Sequence, residues 1–177
     1  RLLKLINNII DTNKVEHGNY QIDIKEENIV YIVEEAALSL KDYIENKNIE
    51  LVIEPDMEEK IIQCDKYEIE RCIVNLMSNA AKFTPKGGRI DVLIKDLGNQ
   101  VEIIIKDTGI GIDEKYHSSI FDRFNQIIDE KSEAKGGSGL GLTITKHIID
   151  LHNGEISVSS EVNKGSTFKI VLKEKIN

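Results

Sequence analysis

Several features that would place a protein in a special class are scarce or absent in this 177-residue sequence. Its apolar runs extend for only a few residues, whereas a membrane-spanning helix needs roughly 20 in succession, and the amino terminus has no signal-peptide pattern. The two cysteines, Cys64 and Cys72, are too few for a disulfide framework and lack the spacing of metal ligands. We therefore expect a reduced protein in a cytoplasmic setting, without direct membrane contact of its own. Because Arg1 is not a natural start, the membrane status of a longer parent protein stays open.

Positively charged residues are also fewer than negatively charged ones. The sequence has 23 Lys and Arg against 31 Asp and Glu, a formal net charge of −8, and no basic stripe. This balance argues against nucleic acid as a partner, and it means that local geometry must hold any phosphate ligand. With 40% hydrophobic and 31% charged residues, the chain is expected to fold as a soluble globular domain with a substantial core.

Hydrophobic periodicity predicts short strands that alternate with amphipathic helices. The predicted helices cover residues 1–16, 28–46, 66–83, 113–124 and 140–152. The predicted strands cover residues 20–25, 49–53, 60–64, 89–96, 101–107, 155–162 and 166–173. Residues 125–138 are polar, charged and rich in glycine, which is typical of a mobile loop. This order indicates an α+β two-layer sandwich: a mixed, mostly antiparallel sheet with three main helices on one face, and a ligand between helices and loop.

Three polar residues interrupt the apolar pattern late in the predicted helix 66–83. Asn75, Asn79 and Lys82 are four and three residues apart, so they share one face of this helix. A polar helix face is usually solvated. Its position within an otherwise apolar stretch favours a binding site here.

Two segments contain glycines at positions where a ligand could approach the backbone closely. Asp107 ends a predicted strand and begins the sequence Asp-Thr-Gly-Ile-Gly, whose glycines permit a tight path, although such a segment alone is usually a simple turn. Residues 136–142 read Gly-Gly-Ser-Gly-Leu-Gly-Leu and open a predicted helix, where freed amides can form a cradle for phosphate. The run matches neither a Walker A loop nor a Rossmann fingerprint, and a flexible linker is the alternative.

Together with the sequence Ile-Phe-Asp-Arg-Phe at 120–124, these segments resemble, in order and spacing, the ATP-binding domain of bacterial sensor histidine kinases, which has the Bergerat (GHKL) fold. The resemblance covers about residues 1–175. It implies that residues 1–18 form the C-terminal part of the second helix of a dimerisation hairpin, and that residues 19–177 form the catalytic ATP-binding domain. It also implies ATP and Mg²⁺ as ligands and a full-length homodimer. The implied protein partners are the histidine-bearing dimerisation domain of the same kinase and the receiver domain of a response regulator.

The resemblance also implies roles for individual residues. Asp107 would accept a hydrogen bond from the adenine amino group and, as a pure acceptor, would repel guanine. Asn79 would coordinate Mg²⁺, and Lys82 would reach the nucleotide phosphates. Arg123, at the hinge of an ATP lid, either approaches the triphosphate or lies on the surface. The full set of expected cofactor-binding residues is Asn75, Asn79, Lys82, Asp107, Gly109, Gly111, Ile112, Phe121, Arg123, Phe124, Gly137, Ser138, Gly139, Leu140, Gly141 and Leu142.

Asn75 separates two kinds of chemistry within this superfamily. In the ATP-hydrolysing relatives (gyrase, heat-shock chaperone and mismatch-repair ATPases) a glutamate at this position activates the attacking water. An amide cannot take up that proton usefully. Hydrolysis is therefore expected to be slow, which leaves the γ-phosphoryl group for a protein nucleophile.

The histidine that such a kinase phosphorylates is missing. The four histidines, His17, His117, His147 and His152, are scattered, and none precedes a Glu/Asp-Xaa-Arg-Thr/Asn-Pro segment. We expect a fragment that binds ATP without phosphorylating itself, with no catalytic phosphoacceptor of its own. In the parent protein the phosphoryl group would pass to the missing histidine and then to an aspartate of the response regulator. Three alternatives stay open: a GHKL ATPase, an anti-sigma-type serine kinase, and a degenerate scaffold without catalysis.

Overall fold

The computed structural model describes residues 7, 10–11, 13–14, 18, 20–122 and 139–176. In these ranges the elements are β1 (Lys25–Asn28), α1 (Ile29–Ser39), α2 (Lys41–Asn46), β2 (Glu50–Pro55), β3 (Ile61–Cys64), α3 (Lys66–Phe83), β4 (Arg89–Asp96), β5 (Gln100–Asp107), a 3₁₀ turn (Glu114–Tyr116), α4 (Gly141–Leu151), β6 (Glu155–Glu161) and β7 (Gly165–Lys173). None of the helices in these ranges combines the length and hydropathy that a bilayer crossing requires.

The sheet has five strands in the order β2-β4-β5-β7-β6. β2 pairs with β4 in parallel, and the remaining pairs are antiparallel. β1 and β3 form a separate two-stranded antiparallel sheet. Helices cover one face of the large sheet, which confirms the predicted α+β two-layer sandwich. The β5–β7 register places Asp107 directly opposite Ser166 at one end of the sheet.

Helix α3 lies at the centre of the helical layer and has the predicted bounds. Asp65 caps its first turn, since the Oδ1 atom accepts hydrogen bonds from the backbone N–H groups of Tyr67 (3.0 Å) and Glu68 (3.2 Å). Its buried side chains recur every three or four residues, as expected for one helix face: Ile69, Cys72, Ile73, Leu76, Met77, Ala80 and Ala81. Full burial of each large apolar side chain contributes about 1.5–3 kcal/mol. The polar residues late in the helix are thereby held outside the core.

Three predicted elements differ from the observed ones, each because local hydrogen bonds compete with the regular pattern. The strand predicted over 20–25 begins only at Lys25, because the Asp23 N–H donates to the Asp65 carboxylate (2.7 Å) and not to a neighbouring strand. The helix predicted over 28–46 is divided at Leu40, one residue after the Ser39 hydroxyl donates back to the Ala36 carbonyl (2.7 Å).

The helix predicted over 113–124 is the third difference. Asp113 caps Lys115 (3.1 Å), and the N–H of Tyr116 donates to the Asp113 carbonyl (2.9 Å). These bonds close a tight 3₁₀ turn, which is followed by further turns to Asp122. Residues 123 and 124 lie outside the described ranges.

The N-terminal segment contacts α3 through a polar cluster around Arg71. Residues 7, 10, 11, 13 and 14 are helical, and the Asp11 carboxylate accepts a hydrogen bond from the Arg71 guanidinium at 2.6 Å. The Tyr20 hydroxyl accepts from the same guanidinium (2.9 Å) and donates to Glu68 (2.7 Å). These contacts hold the chain that precedes β1 against the outer face of α3.

Three buried groups in this region, two thiols and one imidazole, are uncharged. Cys64 and Cys72 are free and buried, in line with the expected reduced state, and burial raises the pKa of Cys64 to about 12. His152 is 1% exposed; its Nε2 accepts from the Asp65 N–H (3.0 Å), so its Nδ1 carries the hydrogen that is donated to the Ile148 carbonyl (2.7 Å). Burial lowers the pKa of His152 below its ordinary value of 6.5.

Protonation of His152 should therefore destabilise the fold. Because its pKa is lower in the folded than in the unfolded chain, its contribution to stability is complete above about pH 6.5 and is lost as the pH falls through the folded-state value. We expect the urea midpoint to fall more between about pH 7.5 and about pH 5.5 for the native chain than for His152→Gln, which cannot titrate. An identical pH dependence of the two proteins would contradict this role.

Candidate nucleotide-binding site

Asp107 lies at the end of β5 with one carboxylate oxygen occupied and the other available. The residue is 6% exposed. Its Oδ1 accepts hydrogen bonds from the backbone N–H groups of Gly109 (2.7 Å) and Ser166 (3.3 Å), while Oδ2 has no hydrogen bond within the described part of the chain. Burial raises the pKa of Asp107, and the two N–H donors act in the opposite direction. The site thus holds the carboxylate in a fixed position, with Oδ2 able to accept a further hydrogen bond.

The loop after Asp107 joins the end of α3 to the β6–β7 turn. The N–H of Ile110 donates to the Phe83 carbonyl (3.2 Å), and the Ile110 carbonyl accepts from Asn163 (2.7 Å). A Cβ atom at Gly109 would lie 2.8 Å from the Phe83 oxygen, and one at Gly111 would lie 2.0 Å from the Glu161 carbonyl. Both glycines are therefore required by close backbone approach, and Gly111 also has a positive φ of 71°.

Sequence reasoning missed two serines that complete this region. The Ser160 hydroxyl contacts the Ile112 N–H, the Gly165 carbonyl and the Ser166 hydroxyl, each at 2.8 Å. Ser166 is 7% exposed and faces Asp107 across the β5–β7 ladder. The sequence gives no direct signal for either residue, because the pairing of β5 with β7 joins positions 59 residues apart.

Asn75 lies where α3 meets the beginning of α4. Its Nδ2 donates to the Thr145 hydroxyl at 3.0 Å. A Cβ atom at Gly141 would lie 2.4 Å from the Asn75 Oδ1, so any larger residue at this position would displace the Asn75 amide. The amide side chain thus bridges the predicted site helix and the helix that follows the glycine-rich run.

The described part of the glycine-rich run forms the start of helix α4 and also contributes to the hydrophobic core. Gly139 has a φ of 68°, and α4 begins at Gly141 without a side-chain cap from the preceding residue, Leu140. The N–H groups in the first turn of a helix are suited to binding an anion. Leu140 is buried, and Leu142 packs against the same core. Of the other residues expected here, Gly137 and Ser138 lie outside the described residues, as do Arg123 and Phe124.

Asn79 and Lys82 follow Asn75 along the same face of α3. Asn79 is half-buried, and its amide makes no hydrogen bond among the described residues. The Lys82 ammonium lies 4.7 Å from the centre of the Phe83 ring. It also borders an open depression of about 590 Å³, which it shares with Tyr43, Asn46, Lys47, Asn48, Thr84, Pro85 and Lys86.

Phe121, one of the expected cofactor-binding residues, packs against the hydrophobic core. It is partly buried and packs edge-to-face on Phe168, with ring centres 6.4 Å apart and an interplanar angle of 90°. The structure thus gathers Asp107, Gly109, Gly111 and Ile112 around the end of α3 and the β6–β7 turn. It places Asn75 and Gly141 together at the α3–α4 contact, and α3 connects the two groups.

Comparison with known proteins identifies the family. The family model for histidine kinase-, DNA gyrase B-, and HSP90-like ATPases matches residues 64–176. Histidine kinase P4 of Formosa agariphila is 33% identical over 174 residues, which cover 97% of this chain and 13% of that protein. The autoinducer 2 sensor kinase/phosphatase LuxQ of Vibrio vulnificus is 36% identical over 178 residues, which cover 97% of this chain and 21% of that protein. The chain spans between 11% and 23% of the length of the curated relatives it matches.

Solved structures agree with this assignment. The nucleotide-free catalytic domain of histidine kinase ThkA superposes with a TM-score of 0.78 at 26% identity, covering 88% of this chain and all (100%) of that domain. Full-length ShkA in complex with AMPPNP has a TM-score of 0.85 over 97% of this chain and 35% of that one, and at 22% identity it supports the fold alone. The matched family model and the kinase relatives show that this chain belongs to the histidine kinase-, DNA gyrase B- and HSP90-like ATPase family, as a catalytic ATP-binding domain of the sensor histidine kinase type.

Proposed function

We propose that this domain binds Mg²⁺-ATP and transfers its γ-phosphoryl group to a histidine on the dimerisation domain of the same kinase. The observation that carries the proposal is the Asp107 carboxylate, with Oδ1 fixed by two backbone N–H groups and Oδ2 available. An ionised carboxylate in this position accepts from the exocyclic amino group of adenine and repels the carbonyl oxygen of guanine. The uncapped N-terminus of α4 and the face of α3 supply groups suited to the phosphates.

The residues present fit a magnesium ion that is held mainly by the nucleotide. Among the described residues, no three His, Cys, Asp or Glu side chains are grouped as metal ligands. Mg²⁺ usually takes most of its ligands from substrate phosphates and water, so the amide oxygen of Asn79, which has no hydrogen bond from another described residue, is a sufficient protein contribution. When bound, the ion neutralises developing charge on the phosphates, and Lys82 would add a second positive charge.

The amide side chain of Asn75 supports transfer of the γ-phosphoryl group to a protein, in preference to hydrolysis of ATP by water. The position has an amide, and its Nδ2 is engaged by the Thr145 hydroxyl. An amide does not accept a proton from water at neutral pH, so the site lacks the general base that a hydrolase requires there. A GHKL ATPase is the second candidate function, and rapid release of inorganic phosphate by this chain would favour it.

The remaining parts of the reaction belong to partners. We propose that residues 1–18 continue a dimerisation hairpin that bears the phosphoacceptor histidine, that the parent kinase is a homodimer, and that a response-regulator receiver domain accepts the phosphoryl group on an aspartate. A solved complex of histidine kinase ThkA with response regulator protein TrrA has the same fold in its kinase, at 22% identity. Without the acceptor helix, the isolated chain should bind ATP but gain no stable phosphate label.

The direct test is a calorimetric titration of this chain with a non-hydrolysable ATP analogue, with and without Mg²⁺. We expect saturable 1:1 binding that Mg²⁺ strengthens, and no comparable binding of the GTP analogue. Equal binding of the two analogues would contradict the role of Asp107. Absence of binding in all conditions would favour a non-catalytic scaffold.

A further inference from the structure

The hydroxyl group of Ser160 is saturated with hydrogen bonds, and this determines the direction of each one. A serine hydroxyl has one hydrogen to donate and two lone pairs to accept. At Ser160 the Ile112 N–H can only donate, and the Gly165 carbonyl can only accept. The single Ser160 hydrogen is therefore used on Gly165. The remaining 2.8 Å contact with Ser166 must then be donated by Ser166.

This assignment fixes the polarity of the Ser166 hydroxyl beside Asp107. The two residues are direct partners in the β5–β7 ladder, so their side chains lie next to each other on one face of the sheet. Because the Ser166 hydroxyl donates its hydrogen to Ser160, its Oγ atom can only accept a hydrogen bond from a ligand. Asp107 Oδ2 is likewise an acceptor. At this point of the site the side chains of Asp107 and Ser166 can both accept hydrogen bonds, and neither can donate one.

We propose that Ser160 is a specificity-determining positioning residue that never touches the nucleotide: by accepting the Ser166 hydrogen, it makes the site select purines with an amino group at position 6 over purines with a carbonyl there. The inference rests on the proposed binding of adenine at Asp107 and extends it to a second residue behind the site. A carbonyl at position 6 meets two acceptors and no donor, which leaves it without a hydrogen bond.

Removal of the Ser160 hydroxyl should relax this selection. In Ser160→Ala the Ser166 hydrogen is free to rotate. It can then turn towards a carbonyl at position 6 of the purine and donate to it. This strengthens binding of the 6-carbonyl purine and lowers the ratio of the two affinities.

The test compares ADP with inosine diphosphate, which has a carbonyl in place of the adenine amino group, by calorimetric titration at fixed Mg²⁺. We expect the native chain to prefer ADP and Ser160→Ala to reduce this preference by about tenfold, the effect of one unsatisfied hydrogen bond. Ser160→Thr retains a hydroxyl and should restore the preference. Ser159→Ala, on the adjacent exposed residue of β6, should leave it unchanged.

The Ser166→Ala background supplies a second control. With no Ser166 hydroxyl to rotate, adding Ser160→Ala should not change the ADP preference further. Equal weakening of both nucleotides by Ser160→Ala would show that Ser160 only anchors the loop at Ile112, and would overturn the inference. A native chain that prefers ADP while Ser160→Ala keeps the full preference would also overturn it. Failure of the native chain to bind either nucleotide would contradict the proposed function itself, and this inference with it.

Discussion

Asp107→Asn is expected to lower the affinity for the ATP analogue by about 100-fold or more, the effect of about 3 kcal/mol. The two backbone N–H groups of Gly109 and Ser166 require an oxygen at the Oδ1 position. The asparagine amide must therefore turn its NH₂ group to the Oδ2 position, where it faces the adenine amino group donor to donor. The substitution adds no volume, so the loss comes from hydrogen-bond polarity and charge.

Calorimetric titration of Asp107→Asn measures this loss. The matched control is Asp150→Asn, which removes an exposed carboxylate at the end of α4. Within the described part of the chain its one ion pair is with Lys146 on the same helix, and an exposed pair contributes little to stability. Retention of native affinity by a folded Asp107→Asn protein would exclude Asp107 as the adenine acceptor.

Gly165→Ala should destabilise the fold by at least about 3 kcal/mol, since the new atom meets rigid backbone. A Cβ atom at this position would lie 1.9 Å from the Asp107 carbonyl oxygen and 2.9 Å from the Thr108 Cα. The φ of 107° at Gly165 adds strain for any residue with a side chain. Relief of the contact requires β5 and β7 to separate where they position the Asp107 carboxylate, so binding of the nucleotide should weaken as well.

The control for Gly165→Ala is Gly98→Ala in the β4–β5 turn. Gly98 has a similar positive φ of 80°, but a Cβ atom there would meet nothing within 4 Å. Gly98→Ala should lower the free energy of unfolding by about 1 kcal/mol, from backbone strain alone. Urea unfolding measures both values. Equal losses for the two variants would show that the close approach at Gly165 is not important for stability.

Elements defined by local signals were predictable from the sequence. Helix α3 has a capping aspartate, an apolar stripe and a proline shortly after its end, and its predicted bounds are the observed ones. The β4–β5 hairpin follows from two alternating stretches around a Gly-Asn turn. Asp107 and its following glycines were identifiable because a carboxylate, a strand end and a tight turn coincide within five residues.

Features that depend on distant pairing could not be predicted in the same way. The parallel pairing of β2 with β4 and the register of β5 with β7 are set by packing of the whole sheet. Ser160 and Ser166 look like ordinary surface serines in the sequence, and their role appears only when the turn between β6 and β7 is placed against Asp107. The division between α1 and α2 coincides with a back-bonded hydroxyl at Ser39, and the continuous helical pattern of the sequence gives no signal for it.

The hydrogen bonds of Asp65 affect how this side of the domain unfolds. Its Oδ1 caps α3, its Oδ2 accepts from the chain before β1, and its N–H donates to the imidazole at the end of α4. These three segments share one residue, so detaching any of them leaves buried polar groups of the others without partners. Partial unfolding on this side of the domain is therefore cooperative. The start of α3, the end of α4 and the incoming chain form one structural unit, and the helix that bears Asn75 and Asn79 is part of it.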